Sequence, residues 1–235
     1  RDVERSRGLG DVYKRQVDWF TNKFMVIYRA DSMQLIKRFA DPKKKAIYVE
    51  KTTDEAAKLF GINSNAVGYV VSDDEPDAKL YSVFKNMKNK KTTAVAADIF
   101  ESYGTIRFIN MFPLVIKAMQ TGGTLVVDEF DASIHPMALM SIINVFHNDD
   151  VNIHHAQLIF NTHNPIFLNK NIFRRDEIKF VDRDDNTGIS NHYSLSDFGT
   201  SGPNAVRNTE DYMKNYFINR YGCLLYTSDA ADDLT

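Results

Sequence analysis

The sequence predicts an α/β fold in which a parallel sheet in the second half follows an antiparallel hairpin and helical region in the first. Three observations predict it. Apolar stretches without alternation, such as 124–127 and 158–160, read as strands buried on both faces. Segments of helical periodicity separate them, as crossover connections of a parallel sheet require. Upstream, three short β-prone runs are divided by turn-rich stretches at hairpin spacing.

The elements follow in chain order. Residues 17–40 read as helical, because Trp19, Phe20, Phe24, Ile27, Met33, Leu35, Ile36 and Phe39 recur near helical spacing. "TTDEAAKLFGIN" offers Thr53 as N-cap, an acidic first turn and Gly61 as a stop. "AVGYVVS" (66–72), "KLYSVF" (79–84) and "TTAVAA" (92–97) predict an antiparallel meander, with "DDEPD" and "KNMKNKK" as its turns. A helix is expected over 102–119, then a strand over 124–128 and a helix over 136–147. A strand over 156–161, a short helix after Pro165 and a strand over 177–182 continue the alternation.

Composition bounds the partners. The 235 residues are 43% hydrophobic and 26% charged with a net charge of −2, so no global field draws in nucleic acid or a membrane surface. No run approaches the roughly 20 apolar residues that span a bilayer. With one cysteine, Cys223, there is no internal disulfide framework, and a reducing cytoplasm is the expected location.

The two ends read differently from the middle. "DVYKRQ" (11–16) back-translates as GAT GTG TAT AAG AGA CAG, and the reverse complement, read one base later, encodes "CLLYTS" (223–228). The pair resembles the two ends of a sequencing-transposon adapter translated in frame. Residues 1–16 and 223–235 are therefore expected to be adapter-derived, with 17–100 a helical and hairpin region and 101–222 a C-terminal lobe. On this reading the natural N-terminus lies upstream of Val17.

Chemistry concentrates at strand ends. "TLVVDE" runs an apolar strand into Asp128 and Glu129, and Asp131 follows in "DASIHP". Uncompensated buried charge costs several kcal/mol or more, so these acids belong at a strand exit facing something positive. An aspartate there suits a nucleotide-bound Mg²⁺, and the next glutamate suits a base for water attacking a γ-phosphate. Capping the next helix, or pairing with arginine, is the plainer alternative. "LIFNTHNP" ends a second strand in Thr162 and His163, an imidazole placed to meet the same phosphate or merely to follow a strand. "ESYGT" opens a helix, so Ser102, Gly104 and Thr105 form either an anion site at its N-terminus or a simple N-cap at Ser102.

The order of these pieces resembles the ATP-binding heads of prokaryotic AAA-type ATPases of the ABC class, related to SMC-like and OLD-like ATPases. The likeness is carried by Ser-x-Gly-Thr, a helix, "TLVVDE" with Asp131 and Pro136, and "LIFNTH". "RRDEIKFVDRD", "YSLSDF" and "NRYG" are similar to the closing strands and terminus of that head. The resemblance implies a P-loop NTPase-like fold that binds ATP and Mg²⁺. Asp128 would be the Walker B magnesium ligand, Glu129 the catalytic glutamate, Asp131 a D-loop residue and His163 the switch histidine. Ser102, Gly104 and Thr105 would form a signature that reaches the nucleotide of an opposing subunit, making a homodimer the working unit. A toxin or nuclease effector in phage defence is the implied partner. The signature departs from the longer "LSGGQ"-like form. No G-x-x-x-x-G-K-[ST] occurs in the chain, so the phosphate loop is expected upstream and the chain alone is expected to be inactive.

Other signals carry less. Asp182 and Asp184 in "FVDRDDNTG" read as an Asx-rich hairpin turn, with a Toprim-type metal nuclease site as the alternative. "KNMKNKK" reads as a solvated hairpin tip, since no aromatic residue interleaves it to stack on bases, and "DPKKK" (41–45) as a charged loop. A nucleic-acid partner has no support in the sequence. A second function, a non-hydrolysing nucleotide-gated scaffold that clamps nucleic acid or a protein, shares every motif with the ATPase.

Overall fold

A computed structural model describes residues 2–28, 46–48, 66–70, 79–85, 92–184, 187–201, 205–207 and 209–222. The expected helix at "TTDEAAKLFGIN", the "DPKKK" loop and residues 86–91 of the lysine-rich turn lie outside these. The chain divides into two compact units, residues 1–163 and 164–235. The change of rhythm read from the sequence fell earlier, at 100/101.

In the first unit, α1 (Asp2–Asn22) leads directly into β1 (Phe24–Ile27). The helix runs without a break through residue 16, so adapter-like and following residues share one element. Expecting helix over 17–40 is wrong at residues 24–27, and residues 29–40 lie outside the described ones. Phe24-Met25-Val26-Ile27 is a short apolar run that periodicity alone cannot assign, and it pairs in parallel with β6 (Thr124–Val127) along its whole length. Trp19 and Phe24, with ring centroids 5.3 Å apart, pack across the helix-to-strand junction.

β6 is the centre of a three-stranded parallel sheet, between β1 and β7 (Gln157–Phe160). The registers Ile27↔Val127 and Val127↔Phe160 bring all three carboxyl ends to one edge. Two helices pack on this sheet: α3 (Tyr103–Thr121), which follows the single turn α2 (Ala97–Phe100), against β6, and α4 (Pro136–His147) against β7. Phe108, Met111 and Val115 of α3, Leu125 and Val127 of β6, and Leu139, Ile142 and Ile143 of α4 are buried. At roughly 1.5–3 kcal/mol for each large apolar side chain removed from water, this core is the main stabilising term of the unit. α3 stops at Gly122, whose φ of 62° is the left-handed C-cap conformation that glycine adopts at no steric cost. The opposite face of the sheet is more open, with Val26 37% and Ile159 54% exposed.

The meander expected over 66–97 is present as β3 (Ala66–Val70), β4 (Lys79–Lys85) and β5 (Thr92–Ala96), with β2 (Ala46–Tyr48) added at the β3 edge. It is tied to the α2–α3 segment by polar contacts. Tyr69 donates from its hydroxyl to Asn110 Oδ1, and Ser82 donates to Glu101 Oε1 at 2.7 Å. Phe84 and Phe100 meet edge to face with centroids 4.6 Å apart.

The second unit is built on a hairpin, β8 (Lys179–Arg183) and β9 (Ser190–Ser194). Placing 177–182 in the parallel alternation is thus corrected: the strand pairs antiparallel with its successor. Only a tight turn separates the two, too short for the crossover that parallel pairing needs. Its core is Ile178, Phe180, Leu195, Val206, Tyr212 and Tyr221, closed by α5 (Tyr212–Phe217).

Candidate functional site at the carboxyl edge of the parallel sheet

Asp128 and Glu129 leave the central strand of the sheet, and the register continues past β6. Asp128 N–H donates to Ile27 O at 3.0 Å, and Asn161 N–H donates to Val127 O at 3.3 Å. Ligands of open parallel sheets bind beyond such carboxyl ends. His163 follows β7 by three residues, is exposed, and leaves the sheet from this same edge. Asp128 and Asp131 are half-buried and Glu129 is exposed.

The backbone at Glu129 is unusual. Its φ of 50° and the 64° of Ser133 place two non-glycine residues in the left-handed region, each costing on the order of 1–3 kcal/mol unless the surroundings determine it. They do so from three sides. Phe130, wholly buried, anchors the loop against Phe160 with centroids 4.7 Å apart. Asn161 accepts from Glu129 N–H at its Oδ1, at 2.6 Å, and donates from Nδ2 to Asp128 Oδ1 at 2.5 Å. From α3, the buried Arg107 donates one terminal nitrogen to Glu129 O and the other to Ala132 O.

The start of α3 closes on the same loop. Ser102 is its N-cap: Ser102 Oγ accepts from Thr105 N–H at 3.1 Å and lies 2.8 Å from Thr105 Oγ1. A Cβ on Gly104 would stand 2.2 Å from Ser133 O, so glycine is what lets the helix approach the loop that carries Asp131. Ser102 is exposed and Thr105 buried. Asp128, Glu129, Asp131, Gly104 and His163 thus belong to one edge of one unit. The plain capping role of Ser102 is present in the structure.

Asn161 and Arg107 were not among the residues singled out from the sequence. Asn161 had a signal: an amide one residue past the apolar strand β7, which is part-exposed rather than buried on both faces as its sequence predicts, aligned by length with Asp128. Arg107 had a weaker one, a lone cation among Ile106, Phe108 and Ile109 on an otherwise apolar helix.

Asp182 and Asp184 lie in the second unit. Asp184 Oδ1 accepts from Thr187 N–H at 2.7 Å and from its hydroxyl at 3.0 Å, an Asx turn closing the hairpin. Among the described residues no group of three His, Cys, Asp or Glu side chains could hold a metal ion by itself. The carboxyl edge nonetheless fits Mg²⁺. That ion typically takes one or two carboxylates, keeps several waters and draws its remaining ligands from substrate phosphates, and Asp128 is a single hard-oxygen donor of that kind.

A parallel sheet packed against helices, with acids at its carboxyl edge, fits a P-loop NTPase-like α/β fold. The sequence profile of the family described as "AAA domain, putative AbiEii toxin, Type IV TA system" matches residues 6–169, and the chain belongs to this family of AAA-type ATPases. No curated protein matches it. Among the described residues no helix is long and apolar enough to cross a membrane.

Proposed function

We propose that the carboxyl edge of the parallel sheet is the hydrolytic half of an ABC-class ATP site. The single observation that carries this reading is the parallel register, which sends Asp128 and Glu129 off the central strand beside the β7 exit bearing His163. Mg²⁺-ATP bound there supplies a γ-phosphate made electrophilic by charge neutralisation. Asp128 is the carboxylate for the metal. Glu129, exposed and aimed by a fixed backbone, takes a proton from the attacking water. His163 contributes a hydrogen bond at the phosphate end of the site.

Asp131 with Ser102, Gly104 and Thr105 forms the surface offered to the nucleotide of a second copy, in a head-to-tail dimer. Ser102 and Tyr103 are exposed, which supports that role, while Gly104 has an additional duty inside its own chain. The family description points to a toxin–antitoxin system, and the reading extends this to hydrolysis coupled to a toxin or nuclease effector in phage defence.

The test is Glu129→Gln in the protein expressed from its complete reading frame. Turnover is expected to fall about 10²–10⁴-fold, the range for removing a general base, while ATP-dependent dimerisation persists. Unchanged turnover removes Glu129 from the mechanism. The alternative is a non-hydrolysing nucleotide-gated scaffold clamping nucleic acid or a partner protein. That scaffold would dimerise with ATP and show no turnover for Glu129→Gln to lower.

A further inference from the structure

Asn161 occupies a position that the ATPase reading leaves without a role. Its side chain joins the two acids at the β6 exit: Nδ2 donates to Asp128 Oδ1 at 2.5 Å, and Oδ1 accepts from Glu129 N–H at 2.6 Å. Its main chain joins the same turn, accepting from Phe130 N–H at 3.1 Å and donating to Val127 O at 3.3 Å. One residue just past β7 therefore holds four consecutive residues of the neighbouring strand exit, 127 to 130.

The chemistry admits one orientation of the amide. An ionised carboxylate is acceptor-only and a backbone N–H is donor-only, so the NH₂ faces Asp128 and the carbonyl faces Glu129. Neither leucine nor aspartate reproduces both halves. The clamp also acts where the backbone needs it, at a glutamate with φ of 50°, a conformation that persists only when its surroundings determine it.

We propose that Asn161 is a positioning residue for hydrolysis. It aims the Asp128 carboxylate and locks the Glu129 backbone in its left-handed conformation, so that the β7 exit bearing His163 and the β6 exit bearing both acids form one preorganised unit. This rests on the ATPase reading for its consequence in turnover and on the geometry alone for its structural part. The two are tested apart.

The structural part is read by amide hydrogen exchange on the nucleotide-free chain. The Glu129 amide is expected to be protected in the wild type. Asn161→Leu should lower that protection at least tenfold while the Leu125 and Val127 amides, in the middle of the sheet, keep theirs. Asn161→Ala removes the amide without adding bulk and should lower that protection likewise. A Glu129 amide that exchanges freely in the wild type, or equally slowly in Asn161→Leu, overturns the clamp. If Asn161→Leu loses the sheet amides as well, Asn161→Ala decides, and wild-type protection at Glu129 there overturns it.

The functional part is read in the complete protein. Asn161→Leu should lower kcat about 10–100-fold with KM for ATP within about threefold, the split expected when a preorganised group is misplaced and binding is spared. An unchanged kcat overturns the positioning role. Glu129→Gln, assayed alongside, separates the failures: if it turns over at the wild-type rate the ATPase reading fails, whereas if it is inactive and Asn161→Leu is normal, only the role of Asn161 fails.

Discussion

Gly104 shows how one position can serve two functions that only experiment on the isolated chain separates. The family resemblance implies a signature role toward another subunit's nucleotide, and the structure adds an intramolecular reason for glycine, the Ser133 carbonyl oxygen 2.2 Å from where a Cβ would stand. That neighbour is backbone, so it cannot swing aside as a side chain tip would. Gly104→Ala should therefore destabilise the nucleotide-free monomer by about 1–3 kcal/mol, the usual cost of overpacking, measured by urea unfolding. A residue needed only across a dimer interface would leave monomer stability unchanged. At this scale the acids at the strand exit were legible because charge after an apolar run has few physical outlets. Asn161 was not, because an amide's importance lies in which two groups it joins, and those are 32 and 33 residues away in sequence.

At the scale of elements, α3 does more than cover the sheet. Arg107, 3% exposed, sits on its buried side and donates to the carbonyls of Glu129 and Ala132. The helix thereby fixes both ends of the turn that aims the glutamate. Arg107→Leu keeps apolar bulk but leaves two carbonyls without a cationic donor. Hydrogen bonds to charged groups contribute roughly 1.5–3 kcal/mol each, so a loss on the order of 3 kcal/mol is expected by chemical denaturation, and Arg107→Lys should recover part of it. The ends of α3 and α4 were legible locally. Ser102, Pro136 and Gly122 mark their ends with capping chemistry that acts within a few residues. β1 was missed because Phe24–Ile27 becomes a strand through pairing with Thr124–Val127, a hundred residues on, which no local pattern announces. The hairpin of β8 and β9 was legible from its turn, "DDNTG", while nothing local announces that it forms a two-stranded sheet of its own.

For the molecule as a whole, burial of tyrosine links stability to alkaline pH. Burial pushes the Tyr69 hydroxyl well above its ordinary value of 10.0, and burial likewise raises Tyr212 and Tyr221 in the second unit. A folded-state pKa above the unfolded one means that the native chain keeps a proton the unfolded chain releases. The stabilisation is whole below pH 10.0 and is lost as pH rises past it, by up to about 1.4 kcal/mol per pH unit for Tyr69. Trp19 is the one tryptophan of the chain and lies in the first unit with Tyr69, so its fluorescence follows that unit's unfolding. The Trp19-detected urea midpoint should hold steady from pH 8 to 9.5 and fall between about pH 10 and 11.5. Tyr69→Phe removes the titrating group along with its hydrogen bond to Asn110. That variant should start about 1 kcal/mol less stable at neutral pH and show a flatter alkaline decline. An alkaline decline of the same slope in both proteins would assign the effect to other groups and leave the buried Tyr69–Asn110 contact as a neutral tie between the hairpin sheet and α3.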